Sequence, residues 1–197
     1  YLDRALPERG HGDHAVECLD LAIEAVRANP SLAGLFSGFP GVAWTIEHLR
    51  ERLVDPAEDP GEPTAAALRE HLGRSPWRQG VDLTGGLTGL GVYALERMPF
   101  PHGMECLERA VARLGETAEP WPLGGLTWRN HPQGLPAYLR PRCPEGEFNL
   151  GVAHGVPGVI ALLGRASAAG IEPARPLLDR AVDWLLAQRL PDGQSST

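Results

Sequence analysis

His154 stands directly before Gly155-Val156-Pro157-Gly158, inside the run Asn-Leu-Gly-Val-Ala-His-Gly-Val-Pro-Gly at residues 149–158. Imidazole is the one side chain that ordinarily changes charge close to neutral pH, so a histidine held at a glycine-lined helix start suits proton transfer or ligation. The competing reading is a core histidine that caps the helix. Asp82 is the second residue placed for chemistry. It lies four residues before Gly86 in Val-Asp-Leu-Thr-Gly-Gly-Leu-Thr-Gly, on the loop entering another glycine-started helix. If both loops open at the same end of the molecule, a carboxylate and an imidazole face one cavity, and a carboxylate there orients the ring and makes the pair a competent general acid. Taken alone, an acid at this position reads equally well as a favourable charge at a helix N-terminus.

The other histidines and the cysteines offer less. His11 and His14 flank the first helix start, His48 and His71 fall in helical segments, and His102 and His131 stand beside prolines. None forms His-x-x-x-His or another metal-ligand spacing, which argues against a zinc site built from these residues. Cys18, Cys106 and Cys143 are far apart with no Cys-x-x-Cys pair, so neither a disulfide framework nor a zinc knuckle is indicated, and a reducing cytoplasm is the expected home. Cys18 and Cys106 are expected as small core residues inside helices, and Cys143, between Pro141 and Pro144, as a loop thiol. The glycine-rich turns lack the lysine of a phosphate-binding loop and the preceding strand of a dinucleotide fold, which excludes a nucleotide site.

Seven helical segments are needed to position these residues. Residues 13–29 carry Val16, Leu19, Ile23 and Val26 on one face, with Asp13 as the expected N-cap. A second helix begins after Gly38 and carries Val42, Ile46, Leu49 and Leu53; a third follows Pro63, a fourth Gly86, a fifth spans residues 104–117, a sixth starts after Gly155, and a seventh spans residues 173–189. The second, fourth and sixth share a start signal. Ser37-Gly38-Phe39-Pro40-Gly41, Gly85-Gly86-Leu87-Thr88-Gly89 and His154-Gly155-Val156-Pro157-Gly158 are one pattern, repeated after 48 and then 69 residues. Such a period means a repeated two-helix unit. Glycine inside a helix costs up to about 1 kcal/mol, so its recurrence predicts that the first turn of each inner helix closely approaches another backbone. The intervening helices are more polar, as an outer layer requires. The fold class expected is all-α, an α/α toroid of about seven helices, roughly half of a closed ring.

Composition narrows the function classes. With 18 Lys and Arg against 25 Asp and Glu the net charge is −7, and no basic block stands out, so nucleic acid is not the expected partner. Apolar runs such as residues 156–163 fall far short of the roughly 20 residues that cross a bilayer, so no transmembrane segment is expected. A 197-residue chain with 43% hydrophobic content builds one domain with a substantial core. The one long irregular stretch, residues 119–150, holds Trp121, Trp128, Tyr138 and six prolines. Its aromatics either pack the stretch onto the helices or line a peptide groove, and packing is the expectation.

The run around His154 closely resembles the signature of the lanthionine synthetase C-like (LanC-type) cyclases. Asp-x-x-x-Gly-x-x-Gly at residues 82–89, Ser-Gly-x-x-Gly at 37–41 and the closing Leu-Pro-Asp-Gly-Gln-Ser-Ser-Thr also look like that family, in order along the chain. The resemblance implies an α/α toroid that closes thioether rings in a dehydrated precursor peptide, with a dehydratase, separate or fused, as a second partner. It further implies a zinc ion on two cysteines and one histidine that binds a peptide cysteine as thiolate, which adds to dehydroalanine or dehydrobutyrine to form lanthionine or methyllanthionine. His154 then matches the acid/base histidine and Asp82 its acidic partner. No substrate-binding residues are assigned. The family's zinc ligands lie in Cys-x-Gly and Cys-His-Gly segments of the C-terminal half, and neither segment occurs here, so residues 1–197 read as one domain truncated at its C-terminal end, with the metal ligands beyond it. Two rivals remain: a non-catalytic LanC-like protein that binds a peptide or a synthetase, and an unrelated toroid enzyme acting on carbohydrate through paired carboxylates.

Overall fold

The structure, a computed structural model, describes residues 1–28, 33–36, 38–53 and 57–190. Along the chain run α1 (Leu2–Ala5), α2 (His11–Ala28), α3 (Phe39–His48), α4 (Arg50–Leu53), α5 (Glu62–Leu72), α6 (Leu87–Arg97), α7 (Gly103–Thr117), α8 (Val156–Ala168) and α9 (Ala174–Ala187). The fold is all-α. Its one sheet among the described residues pairs β1 (Glu119–Pro120) with β2 (Leu126–Thr127), antiparallel. The seven expected helices are α2, α3, α5, α6, α7, α8 and α9; the single-turn α1 and α4 are additional. Inner helices α3, α6 and α8 lie side by side, while α5 and α9 back the row through α7 and α8 respectively and α7 packs on α6. This is an arc of helical hairpins of α/α-toroid type.

The shared start signal has a shared geometry. Gly38, Gly86 and Gly155 precede their helices in the same extended conformation, with φ of −136°, −116° and −138°. In each helix the second glycine lies against the carbonyl of the residue six before it: a Cβ on Gly41, Gly89 or Gly158 would overlap Leu35 O, Leu83 O or Val152 O. The incoming loop curls back onto the first turn and supplies acceptors to N–H groups that a helix start leaves open. Thus Leu87 and Thr88 donate to Gly80 O and Val81 O at 3.1 Å, and Val156 donates to Asn149 O at 3.0 Å. No side chain caps α3, α6 or α8. Ser37 and the run from Pro191 onward, both quoted in the resemblance, lie outside the described residues.

One core joins the layers, with Leu68 and Leu72 from α5, Leu90 and Tyr93 from α6, Leu107 and Leu114 from α7, Val159 and Leu163 from α8, and Trp184 from α9. Four expectations need correction. The first helix starts at His11, so Asp13 sits in its first turn, and Gly10 at φ 63° ends the preceding chain. Its apolar face is not buried: Val16 is exposed and Leu19, Ile23 and Val26 only half-buried, beside a groove of about 940 Å³ toward α3 that Leu19 and Val26 help line. Cys18 is likewise exposed. The second helix breaks at Leu49, where Arg50 turns inward to donate to Glu47 at 2.8 Å, Glu58 O at 2.9 Å and Asp59 at 3.0 Å. No described helix is long and apolar enough to cross a membrane.

Candidate functional site

The glycine loops that start the inner helices are laced to one another by main-chain hydrogen bonds. Phe36 N–H donates to Thr84 O, and Leu83 N–H donates to Ala153 O, both at 3.0 Å. This lacing brings together the two sequence-predicted residues, 72 positions apart in the chain. His154 Nδ1 lies 3.8 Å from Asp82 Oδ1, beyond hydrogen-bond length and within ion-pair range. The imidazole is 62% exposed and the carboxylate 21%, so the ring stands at the mouth and the acid behind it.

Asp82 is fixed by its own loop. Its Oδ1 accepts from Thr84 N–H at 2.7 Å, Thr84 Oγ1–H at 2.5 Å and Gly85 N–H at 3.0 Å. These donors precede α6, so the carboxylate braces the entering turn and does not cap the helix. His154 is not a core histidine either, given its exposure. Both residues line a cavity of about 710 Å³ whose far wall is the 119–150 arm, through Asn130, His131, Tyr138, Glu147 and Asn149, with Arg78 completing it.

Two of the arm's three aromatics named from the sequence, Trp121 and Trp128, pack it onto the helices, while much of residues 131–145 is exposed. Trp128 is buried and its indole donates to Leu114 O at 2.9 Å; Trp121 meets Phe148 and Trp184 edge-on at centroid distances of 5.2 and 6.2 Å. Tyr138 departs from this pattern and is 74% exposed, on the cavity wall.

The remaining candidates are occupied elsewhere. His48 stacks on Trp44 and reaches Glu96 at 3.0 Å, His71 packs edge-on to Trp77, and His102 lies 3.4 Å from Glu62. Exposed His14 lies 3.4 Å from Glu17, and His11 borders a groove with Tyr1 and Arg52. Cys106 is buried, donates to Ala65 O, and burial pushes its thiol up to about 11, which leaves it inert at neutral pH. Cys143 is a half-buried free thiol on the arm.

Comparison with known proteins then places the chain. The profile described as Lanthionine synthetase C-like protein matches residues 1–194. The chain belongs to the lanthionine synthetase C-like family. No curated protein matches it. For a lanthionine synthetase C-like chain a zinc site is the expected cofactor site, yet among the described residues no three His, Cys, Asp or Glu side chains gather into a metal-holding group. Neither Cys-x-Gly nor Cys-His-Gly occurs in the sequence. The described residues do not fit zinc. Sequence reasoning set His131 aside and did not single out Asn130 or Arg78; His131 and Asn130 reach the cavity through the path of the arm, and Arg78 through the loop between α5 and α6. Asn149 was already visible in the run that carries His154.

Proposed function

We propose that this chain carries the proton-handling side of a lanthipeptide cyclase site, with His154 as the acid that completes thioether ring closure and Asp82 as its partner. One observation carries the reading: His154 and Asp82, 3.8 Å apart, share the mouth of a cavity at the laced N-terminal ends of α6 and α8, in a chain of this family.

The reaction is an addition. A peptide cysteine, as thiolate, forms a carbon–sulfur bond to the β-carbon of dehydroalanine or dehydrobutyrine, and the alkene electron pair moves onto the α-carbon and its carbonyl as an enolate. With Nδ1 toward Asp82, Nε2 of the imidazolium is the nitrogen left to give a proton to the α-carbon. The proton delivered replaces the one the thiol lost, so product and substrate have the same mass. Asp82 suits the accompanying role, since an ordered carboxylate within ion-pair range favours the charged form of the imidazole. The cavity wall, with Tyr138, Arg78 and Asn130, is roomy enough for an extended peptide segment. A dehydrated precursor peptide is thus the substrate, a dehydratase the second partner, and the cytoplasm, which keeps three free thiols reduced, the setting. Residues 1–197 form one lanthionine synthetase C-like domain, and the zinc ligands this activity needs belong to residues other than these.

The test uses the full-length protein and a peptide containing dehydroalanine and one free cysteine. Metal analysis is expected to give about one zinc per chain, and turnover is expected to leave the peptide mass unchanged while removing its thiol from alkylation. A zinc-loaded protein that binds the peptide and leaves its thiol alkylatable would replace this reading with a non-catalytic peptide-binding one.

A further inference from the structure

Among the described residues no hydrogen bond holds the imidazole of His154, since Asp82 at 3.8 Å is out of reach. Its place is set by the main chain beneath it. Two donors grip that main chain from opposite loops: Leu83 N–H binds Ala153 O at 3.0 Å, and the Asn130 side-chain amide donates Nδ2–H to His154 O at 2.7 Å. Leu83 belongs to the Asp82 loop, whereas Asn130 belongs to the 119–150 arm.

Asn130 is itself rigidly seated. Its N–H donates to Glu147 O at 2.9 Å and its carbonyl accepts from Glu147 N–H at 3.0 Å, an isolated antiparallel bridge. The Glu147 carboxylate accepts from Asn149 Nδ2 at 3.0 Å, and the Asn149 carbonyl receives Val156 N–H at the start of α8. The arm, the bridge and the α8 start therefore form one hydrogen-bonded frame that closes on the turn bearing His154.

We propose that Asn130 is a positioning residue for His154, and that the arm serves ring closure by splinting this turn. The proposal rests on the acid role assigned to His154. Asn130 acts through the main chain of His154, its amide holding the turn that keeps the imidazole within reach of the α-carbon. Losing its amide frees one side of the turn, and a displacement of about 1 Å is enough to cost catalysis up to about a hundredfold.

A double-mutant cycle on the full-length protein, with the dehydroalanine–cysteine peptide as substrate, separates positioning from general support of the fold. Asn130→Ala is expected to lower kcat by about tenfold or more with KM little changed, and to add nothing further on a His154→Ala background. Asn130→Asp, the same shape without the amide donor, is expected to repeat this, which keeps the test open should the alanine variant not fold. Equal losses with and without His154, or no loss in either variant, would overturn the positioning role alone. Wild-type turnover by His154→Ala itself would instead overturn the acid role and this proposal with it.

Discussion

The row of inner helices is held differently at its two ends. At the N-terminal end, glycines let entering loops lie against the first turns, main-chain hydrogen bonds lace loop to loop, and the ionisable groups Asp82 and His154 remain open to a cavity. At the C-terminal end of α3 and α6, Arg97 is fully buried, donating to Glu47 at 2.7 Å and bidentately to Asp59 at 2.5 Å, while Arg50 bridges the same two acids and covers Phe100 at 3.9 Å. Two cations and two anions there pair with one another, Arg97 and Glu47 out of water and Asp59 at the edge of it. Charge holds helices together at one end and lines a cavity at the other.

That contrast is broken most strongly at the buried end. Arg97→Ala leaves the Glu47 carboxylate, 1% exposed, with Arg50 as its one remaining cation, and is expected to cost about 3–5 kcal/mol of stability by denaturant unfolding, with ring closure per folded molecule unchanged. A loss of activity at full stability would make the two ends one functional unit. Next comes Gly89→Ala, whose methyl would overlap Leu83 O in the Asp82 loop. Its expected cost is about 1–3 kcal/mol, and unlike Arg97→Ala it should also slow ring closure by shifting Asp82.

Acid sharpens the comparison further. The hydrogen bond from Arg97 holds the Asp59 carboxyl below its ordinary value, against a desolvation cost that pushes the other way. A carboxyl lowered in the folded state contributes stability that is present above its unfolded value, 3.8, and lost as pH falls through the folded one. Unfolding midpoints measured downward from pH 5 should therefore drop more steeply in the wild type than in Asp59→Asn. Smallest of all is the stability effect of His154→Ala, expected within about 0.5 kcal/mol because an exposed ring without hydrogen bonds supports little.

Local signals made the site end legible in the sequence. The Gly-x-x-Gly starts recur because a Cβ has no room beside a carbonyl six residues back, a constraint carried by neighbours in the chain. From them followed the positions of α3, α6 and α8, and the meeting of Asp82 with His154. The buried end carries no comparable signal. Arg97 finds Glu47 and Asp59 across 50 and 38 residues, and nothing in the spacing of charges marks which pairs leave water. The break at Leu49 follows from that same network, as Arg50 is drawn inward. Asn130 was hidden for a similar reason, since its role depends on a bridge to Glu147 inside an irregular arm. Cys18 was misplaced because the apolar face of α2 is not covered by the described residues.

The central claim is that His154 delivers the proton that ends ring closure. Its most direct test is the rate and α-carbon configuration of the thioether formed by full-length His154→Ala on a dehydroalanine–cysteine peptide. The account predicts a loss of about a hundredfold or more in rate, with any residual product of mixed configuration at the protonated carbon. Ring closure at the wild-type rate with a single configuration would contradict it.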